Sequence, residues 1–183
     1  MLKSHEQFHS SNGKRRILVV DDEIINREML GAYLKKDFEV LFACNGKEAL
    51  EIIQENKETL SLVLLDIMMP VMNGIELLEI VREDKELSRI PIIVLTADKK
   101  TEIRSLNLGA ADFIPKPYPE VDIILARVWR IIELSEDRDI IQSTERDQLT
   151  GLYNKEYFFR YAQQYDQHHK KKDMDAITRE NER

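Results

Sequence analysis

Apolar residues fall in short runs at regular intervals, at 17–20, 40–43, 62–65 and 92–95, with a shorter pair at Phe113 and Ile114. Each run is apolar on consecutive rather than alternate positions, the pattern of a strand covered on both faces. In a chain that alternates strands with helices, this means a parallel sheet. Between the runs the spacing becomes helical: Ile25, Met29 and Tyr33, then Ala49, Leu50 and Ile53, then Leu77, Leu78 and Val81, then Ile103 and Leu106. Each of these helices is expected to bury the face so marked. Five strand–helix units predict one doubly wound α/β domain with a five-stranded parallel sheet.

A fifth helix is predicted from near Pro119, whose fixed φ suits a first turn, through Ile124, Val128, Ile131 and Ile132. Carrying the apolar series onward lands on Ser135 and Arg138, so no coiled-coil heptad is sustained and the helix is expected to continue as a solvated C-terminal extension. The organisation read from the pattern is a loose polar start over 1–14, a domain over 15–134, a helical stalk over 135–146 and a further segment over 147–183.

Composition narrows the class. Hydrophobic residues make up 43% and charged residues 33% of the 183, which excludes disorder throughout. The 27 Lys+Arg against 34 Asp+Glu leave a net charge of −7, so there is no overall positive field to collect the phosphates of a nucleic acid, and no nucleic-acid partner is expected. Residues 1–14 lack the apolar run of a signal peptide and no stretch of 18 apolar residues occurs, so the expectation is a cytoplasmic protein without membrane insertion. Cys44 is the only cysteine, which excludes an intramolecular disulfide and a multi-cysteine zinc site; its simplest role is as a small core residue.

The chemistry is expected at the carboxyl ends of the strands, where an open parallel sheet forms its ligand crevice. Strand one ends in Asp21 and Asp22, strand three in Asp66 and strand four in Thr96, while Lys116 follows strand five. An Asp pair alone is more often a turn or helix cap, and Asp66 alone can cap the segment after it. Three carboxylates, a hydroxyl and an ammonium on one edge are a different matter, because the like charges repel unless something binds among them. Mg²⁺ suits such a site, since it prefers one or two carboxylates plus waters to a full protein cage. Asp22 and Asp66 are the expected direct ligands, with Asp21 acting through water. With the metal in place an oxygen of Asp66 can attack phosphorus to give an aspartyl phosphate. Lys116 then neutralises charge on the transferring group and Thr96 donates a hydrogen bond to it. Lysine serves as a mobile point charge, where arginine would impose a rigid fork.

Asp21 and Asp22, the stretch Leu65, Asp66, Ile67, Met68, Met69 and Pro70, Asn73 and Gly74, Thr96 and Ala97, and Lys116 and Pro117 together resemble the receiver domain of bacterial two-component response regulators over residues 15–134. The resemblance implies a flavodoxin-like fold with strand order 2-1-3-4-5. It also implies that Asp66 accepts phosphate from a sensor histidine kinase or phosphotransfer protein, and that Met68 lends its backbone carbonyl to Mg²⁺. Thr96 and Phe113 would form the switch pair, and the Lys116-Pro117 peptide is typically cis in that family. On residue pattern alone Phe113 is core. A homodimer through the last strand and fifth helix is a further candidate assembly.

Asp147, Gln148, Leu149, Thr150, Gly151, Leu152, Tyr153 and Asn154 resemble the opening of a diguanylate cyclase domain, the type named for its Gly-Gly-Asp-Glu-Phe loop. None of the 6 glycines is adjacent to another, so that loop is absent from this sequence. Residues 147–183 thus read as the incomplete start of such a domain: an expressed piece, a truncation or a frameshift product of a receiver linked to a cyclase. Tyr157, Tyr161 and Tyr165 read as the packing face of a helix, and His168 through Lys172 as a solvated basic helix end. The chain is therefore expected to be a non-enzymatic switch that phosphorylates and dephosphorylates itself. The alternative is the receiver part of an enzyme making cyclic di-GMP from GTP. An aspartate-nucleophile phosphatase is disfavoured, because its Asp-x-Asp would follow the first strand.

Overall fold

The computed structural model describes residues 14–145, with side chains described as far as Arg138. In chain order the elements are β1 (Arg16–Val20), α1 (Ile24–Leu34), β2 (Glu39–Ala43), α2 (Gly46–Glu55), β3 (Leu60–Asp66) and α3 (Gly74–Glu83), then a short 3₁₀ turn (Leu87–Arg89), β4 (Ile92–Thr96), α4 (Lys99–Asn107), β5 (Asp112–Pro115) and α5 (Val121–Glu145). The five strands form one parallel sheet in the order β2-β1-β3-β4-β5. Consecutive apolar residues alternate between the two faces of the sheet. Ile17, Val19, Leu62, Leu64, Ile93, Leu95 and Ile114 pack with Leu30 and Leu34 of α1 and with Ile124, Val128, Ile131 and Ile132 of α5. The opposite face, with Leu18, Val20, Val63, Leu65, Ile92 and Val94, packs against Ala49 and Ile53 of α2 and Leu77, Leu78 and Val81 of α3. Pro115 lies on an edge strand, where its missing N–H interrupts no interior ladder.

Three expectations about burial fail. In α1 the buried face is Leu30, Gly31 and Leu34, whereas Ile25 is 76% exposed. The first turn of this helix stands at the rim of the sheet, so its apolar residues have no strand beneath them. In α4 both Ile103 (63% exposed) and Leu106 (41%) face outward, and the only buried residue is Ser105. This helix is anchored by Ser105 and by the residues that follow it, Leu108 and Ala110. Cys44 is exposed rather than core, because it lies in the loop beyond β2, where the Asn45 side-chain amide donates to its sulfur.

The chain divides into two compact units, with the boundary between Ser135 and Glu136, and α5 contributes residues to both. Among the described residues no helix is long and apolar enough to cross a membrane. The polar start, the cyclase-like segment over 147–183, the stripe of Tyr157, Tyr161 and Tyr165 and the basic run from His168 lie outside the described residues.

Candidate functional site

The carboxyl edge of the sheet gathers the acidic groups because β1 and β3 are neighbours and end level with each other, Val20 pairing with Leu65. Asp21, just past the end of β1, therefore stands beside Asp66, the last residue of β3, and Asp22 sits next to them at the surface. Carboxylate oxygens of Asp21, Asp22 and Asp66 lie within 4.8 Å of one another. One ammonium bridges two of these groups: Lys116 Nζ is 2.9 Å from Asp21 Oδ2 and 3.1 Å from Asp66 Oδ1. Lys116 is brought there from the end of β5, its backbone N–H donating to the Thr96 carbonyl at 2.8 Å, and its peptide to Pro117 is cis.

Asp21 is 0% exposed and its oxygens are crowded with donors. Oδ1 accepts from the Glu23 N–H at 2.9 Å and from Asn26 Nδ2 at 3.1 Å. Oδ2 accepts from Asn26 at 3.1 Å and Lys116 at 2.9 Å, with the Tyr118 hydroxyl at 3.5 Å. Arg27 Nη1 donates to the main-chain carbonyls of Asp21 and Asp22 at 2.6 and 3.0 Å, fixing the turn that presents the pair. Little coordinating capacity remains on Asp21, which suits a role through water, while Asp22 is exposed and its carboxylate can approach a cation from the solvent side.

Asp66 is 5% exposed and accepts from the Ile67 N–H at 2.8 Å. Burial raises its pKa above the ordinary carboxylate value and Asp21 adds to the rise, against the opposing charge and hydrogen bond of Lys116. Burial would by itself lower the Lys116 ammonium, but the hydrogen bonds and charges of Asp21 and Asp66 outweigh it and the net shift is upward. The Tyr118 phenol is also pushed up, chiefly by burial and then by Asp21 and Asp66, so it remains a donor. One ammonium facing three carboxylates leaves an excess of negative charge and an all-oxygen donor set, which fits a hard divalent cation such as Mg²⁺.

The segment after Asp66 is held by α3. Asn73 and Glu76 form a reciprocal capping box at its start. A Cβ on Gly74 would come 2.2 Å from the Asp66 carbonyl oxygen, so only glycine lets the helix approach this closely. Val71 in the intervening loop takes a φ of 71°, a conformation strained for a β-branched residue. Met68, two residues past Asp66, has an 81% exposed side chain, so only its main chain is available to the site. Thr96 is buried at the end of β4 and its Oγ1 accepts from the Asp98 N–H at 3.2 Å, which leaves the hydroxyl proton free to donate into the crevice. Phe113 lies outside the acidic cluster. It pairs with Val94 in the ladder, is half-buried against the α2/α3 side of the core, and has the Arg127 guanidinium 6.0 Å from its ring centroid.

Asn26, Arg27 and Tyr118 were not marked by the sequence pattern. Inspecting strand ends finds Asp21 and Lys116, but Asn26 and Arg27 stand in the first turn of α1 and Tyr118 in the loop after β5. Their only signal is proximity in sequence to residues that are marked.

The profile of the response regulator receiver domain matches residues 17–127. The chain belongs to that family, and its described domain is a receiver domain of a two-component system. The transcriptional regulatory protein SrrA of Staphylococcus aureus is 37% identical over 130 residues, 69% of this chain and 52% of SrrA. The chain thus spans about half the length of the curated relatives it matches. Among solved structures, the chemotaxis protein CheY4 of Vibrio cholerae is similar with a TM-score of 0.58 and 29% identity over 63% of this chain and 97% of CheY4. A probable two-component system response regulator/GGDEF domain protein is similar with a TM-score of 0.62 and 31% identity, over 66% of this chain and 50% of that one. Receiver domains take phosphoryl groups from histidine kinases and bind Mg²⁺ at an acidic pocket, which corresponds here to the cluster of Asp21, Asp22 and Asp66.

Proposed function

We propose that Asp66 accepts a phosphoryl group from a phosphohistidine of a sensor histidine kinase or phosphotransfer protein, and that the resulting aspartyl phosphate switches the surface controlling a C-terminal output. The observation that carries this reading is the buried Asp66 carboxylate at a strand end, 3.1 Å from the Lys116 ammonium and clustered with two further carboxylates. In the transfer an Asp66 oxygen forms a bond to phosphorus while the phosphorus–nitrogen bond breaks, its electron pair returning to the imidazole. Mg²⁺ held by Asp22, Asp66 and the Met68 carbonyl, with Asp21 through water, would supply positive charge to the phosphoryl oxygens. Lys116 offers a second positive charge to the same oxygens, and the Thr96 hydroxyl donates to them. Ile67 N–H keeps the carboxylate oriented. The switch pair in this reading is Thr96 with Phe113. A homodimer through β5 and α5 is the assembly proposed, supported by exposed Ile123 and Leu134 on α5.

Phosphoryl uptake is tested by incubating the protein with Mg²⁺ and acetyl phosphate and measuring intact mass. The native chain should gain one phosphoryl group and Asp66→Asn none. No adduct on the native chain would sink the reading. A second reading places this receiver ahead of a diguanylate cyclase. It is supported by the motif from Asp147 to Asn154 and by the likeness to a response regulator/GGDEF domain protein. In this reading the chain itself has only self-phosphorylation and dephosphorylation as activity. Incubation with GTP followed by chromatography should yield no cyclic di-GMP, and a product peak above an enzyme-free control would contradict that.

A further inference from the structure

We infer that Tyr118 is a positioning residue for phosphoryl transfer, its hydroxyl a reserve donor that takes over Asp21 when Lys116 turns to the phosphoryl group. This rests on the reading of Asp66 as the phosphoacceptor. Three side chains address Asp21 Oδ2 at graded distances: Lys116 at 2.9 Å, Asn26 at 3.1 Å and the Tyr118 hydroxyl at 3.5 Å. The last is at the outer limit of a hydrogen bond, so in the resting protein the hydroxyl is near its acceptor without being fully engaged. Lys116 stands between Asp21 and Asp66, and a phosphoryl group on Asp66 draws its ammonium toward the new charge. Asp21 is 0% exposed, and the water through which it would reach Mg²⁺ is held by the metal, so bulk solvent has no direct path to the position that the ammonium leaves. A buried carboxylate left short of donors is costly.

The hydroxyl is the group placed to make up the loss. Its ring is held by packing against the α1/α5 side of the core, and Lys116 Nζ lies 5.7 Å from its centroid, so the ring also backs the lysine along its path. Because the hydroxyl engages more fully as Lys116 leaves, it stabilises the transition state and the phosphorylated state more than the resting one, which is the condition for accelerating the transfer.

The test compares the native chain with Tyr118→Phe, which keeps the ring and removes only the hydroxyl, using acetyl phosphate at saturating Mg²⁺. The phosphorylation rate constant should fall roughly tenfold, the size expected for one hydrogen bond to a buried charge. Resting Mg²⁺ affinity and Tm should stay nearly unchanged. An unaltered rate, or a loss of Mg²⁺ affinity parallel to the loss of rate, would overturn the inference. A double-mutant cycle adds an independent reading. With Lys116→Ala the ammonium is already gone, so Tyr118→Phe should then have little differential effect on the rate. An equal fall in both backgrounds would show that the hydroxyl acts independently of Lys116 and would overturn the inference. A native chain that takes up no phosphoryl group fails the underlying reading, whereas one that does, with Tyr118→Phe indistinguishable from it, fails this inference alone.

Discussion

Asp66 carries a conflict that the fold imposes on it: in the proposed transfer the carboxylate must ionise to attack phosphorus, yet burial, reinforced by Asp21, disfavours its charged form. A carboxyl whose folded pKa lies above its unfolded value weakens the fold once pH rises through that range, and has no effect where both states are protonated. In a chelator at neutral pH, Asp66→Asn should therefore raise Tm by a few degrees. The gain should vanish as pH falls below the ordinary carboxylate value. A variant that melts lower than the native chain at neutral pH would show that Lys116 stabilises the charge more than burial opposes it. The metal reads the same residues in the opposite sense. In calorimetric titrations Mg²⁺ affinity should fall strongly in Asp22→Asn and Asp66→Asn and less in Asp21→Asn, whose oxygens are already taken by protein donors. Unchanged affinity in Asp22→Asn would overturn the ligand assignment. The acidic residues and Lys116 were legible because strand ends are readable as the points where apolar runs stop. Asn26, Arg27 and Tyr118 were not, since their roles depend on how a helix turn and a loop fold back onto Asp21, which no period in the sequence encodes.

At the level of elements, the helices divide by how much they depend on the sheet. α3 is fixed along its length and at its start. Its apolar face of Leu77, Leu78 and Val81 is fully buried, and its N-terminus is capped and held against Asp66 by the absence of a side chain at Gly74. Gly74→Ala should destabilise by about 1–3 kcal/mol, because the clash is with backbone that cannot rotate away. Leu78→Ala should cost about 2–5 kcal/mol. In α4, Ile103→Gln should change stability by less than about 0.5 kcal/mol, despite the helical spacing that marked Ile103 as a core residue. Urea unfolding of the three variants checks this ranking, and a large loss in Ile103→Gln would mean that α4 packs differently. Consecutive apolar positions identified every strand, because a strand covered on both faces leaves no other pattern, and the faces of α2, α3 and α5 followed. Helical spacing in α1 and α4 was real but pointed outward at Ile25 and Ile103, since periodicity reports that a helix has an apolar side and not that a sheet lies under it.

Across the whole molecule, phosphorylation at one edge of the sheet is proposed to alter a surface elsewhere. A charge-assisted hydrogen bond contributes roughly 1.5–3 kcal/mol, whereas moving an equilibrium from 1:99 to 99:1 needs about 5.5 kcal/mol. Thr96 alone is insufficient, so Lys116 must bind the phosphorylated state differentially as well. Lys116→Ala should still take up phosphate but show a weakened change in hydrogen exchange over β5 and α5, where Arg127 links Asp112 at 2.8 Å to the Phe113 carbonyl at 3.1 Å. A full response in that variant would refute the coupling. The identity of the phosphorylated atom is the point on which everything else depends, and trapping it chemically is the most direct measurement. After reaction with Mg²⁺ and acetyl phosphate, borohydride reduces an aspartyl phosphate to homoserine, and peptide mapping then locates the converted residue. Homoserine is predicted at position 66 and nowhere else, formed only when Mg²⁺ is present. Conversion at another aspartate, or none at position 66 under conditions that fully load the site with Mg²⁺, would contradict the assignment of Asp66 as the phosphoacceptor.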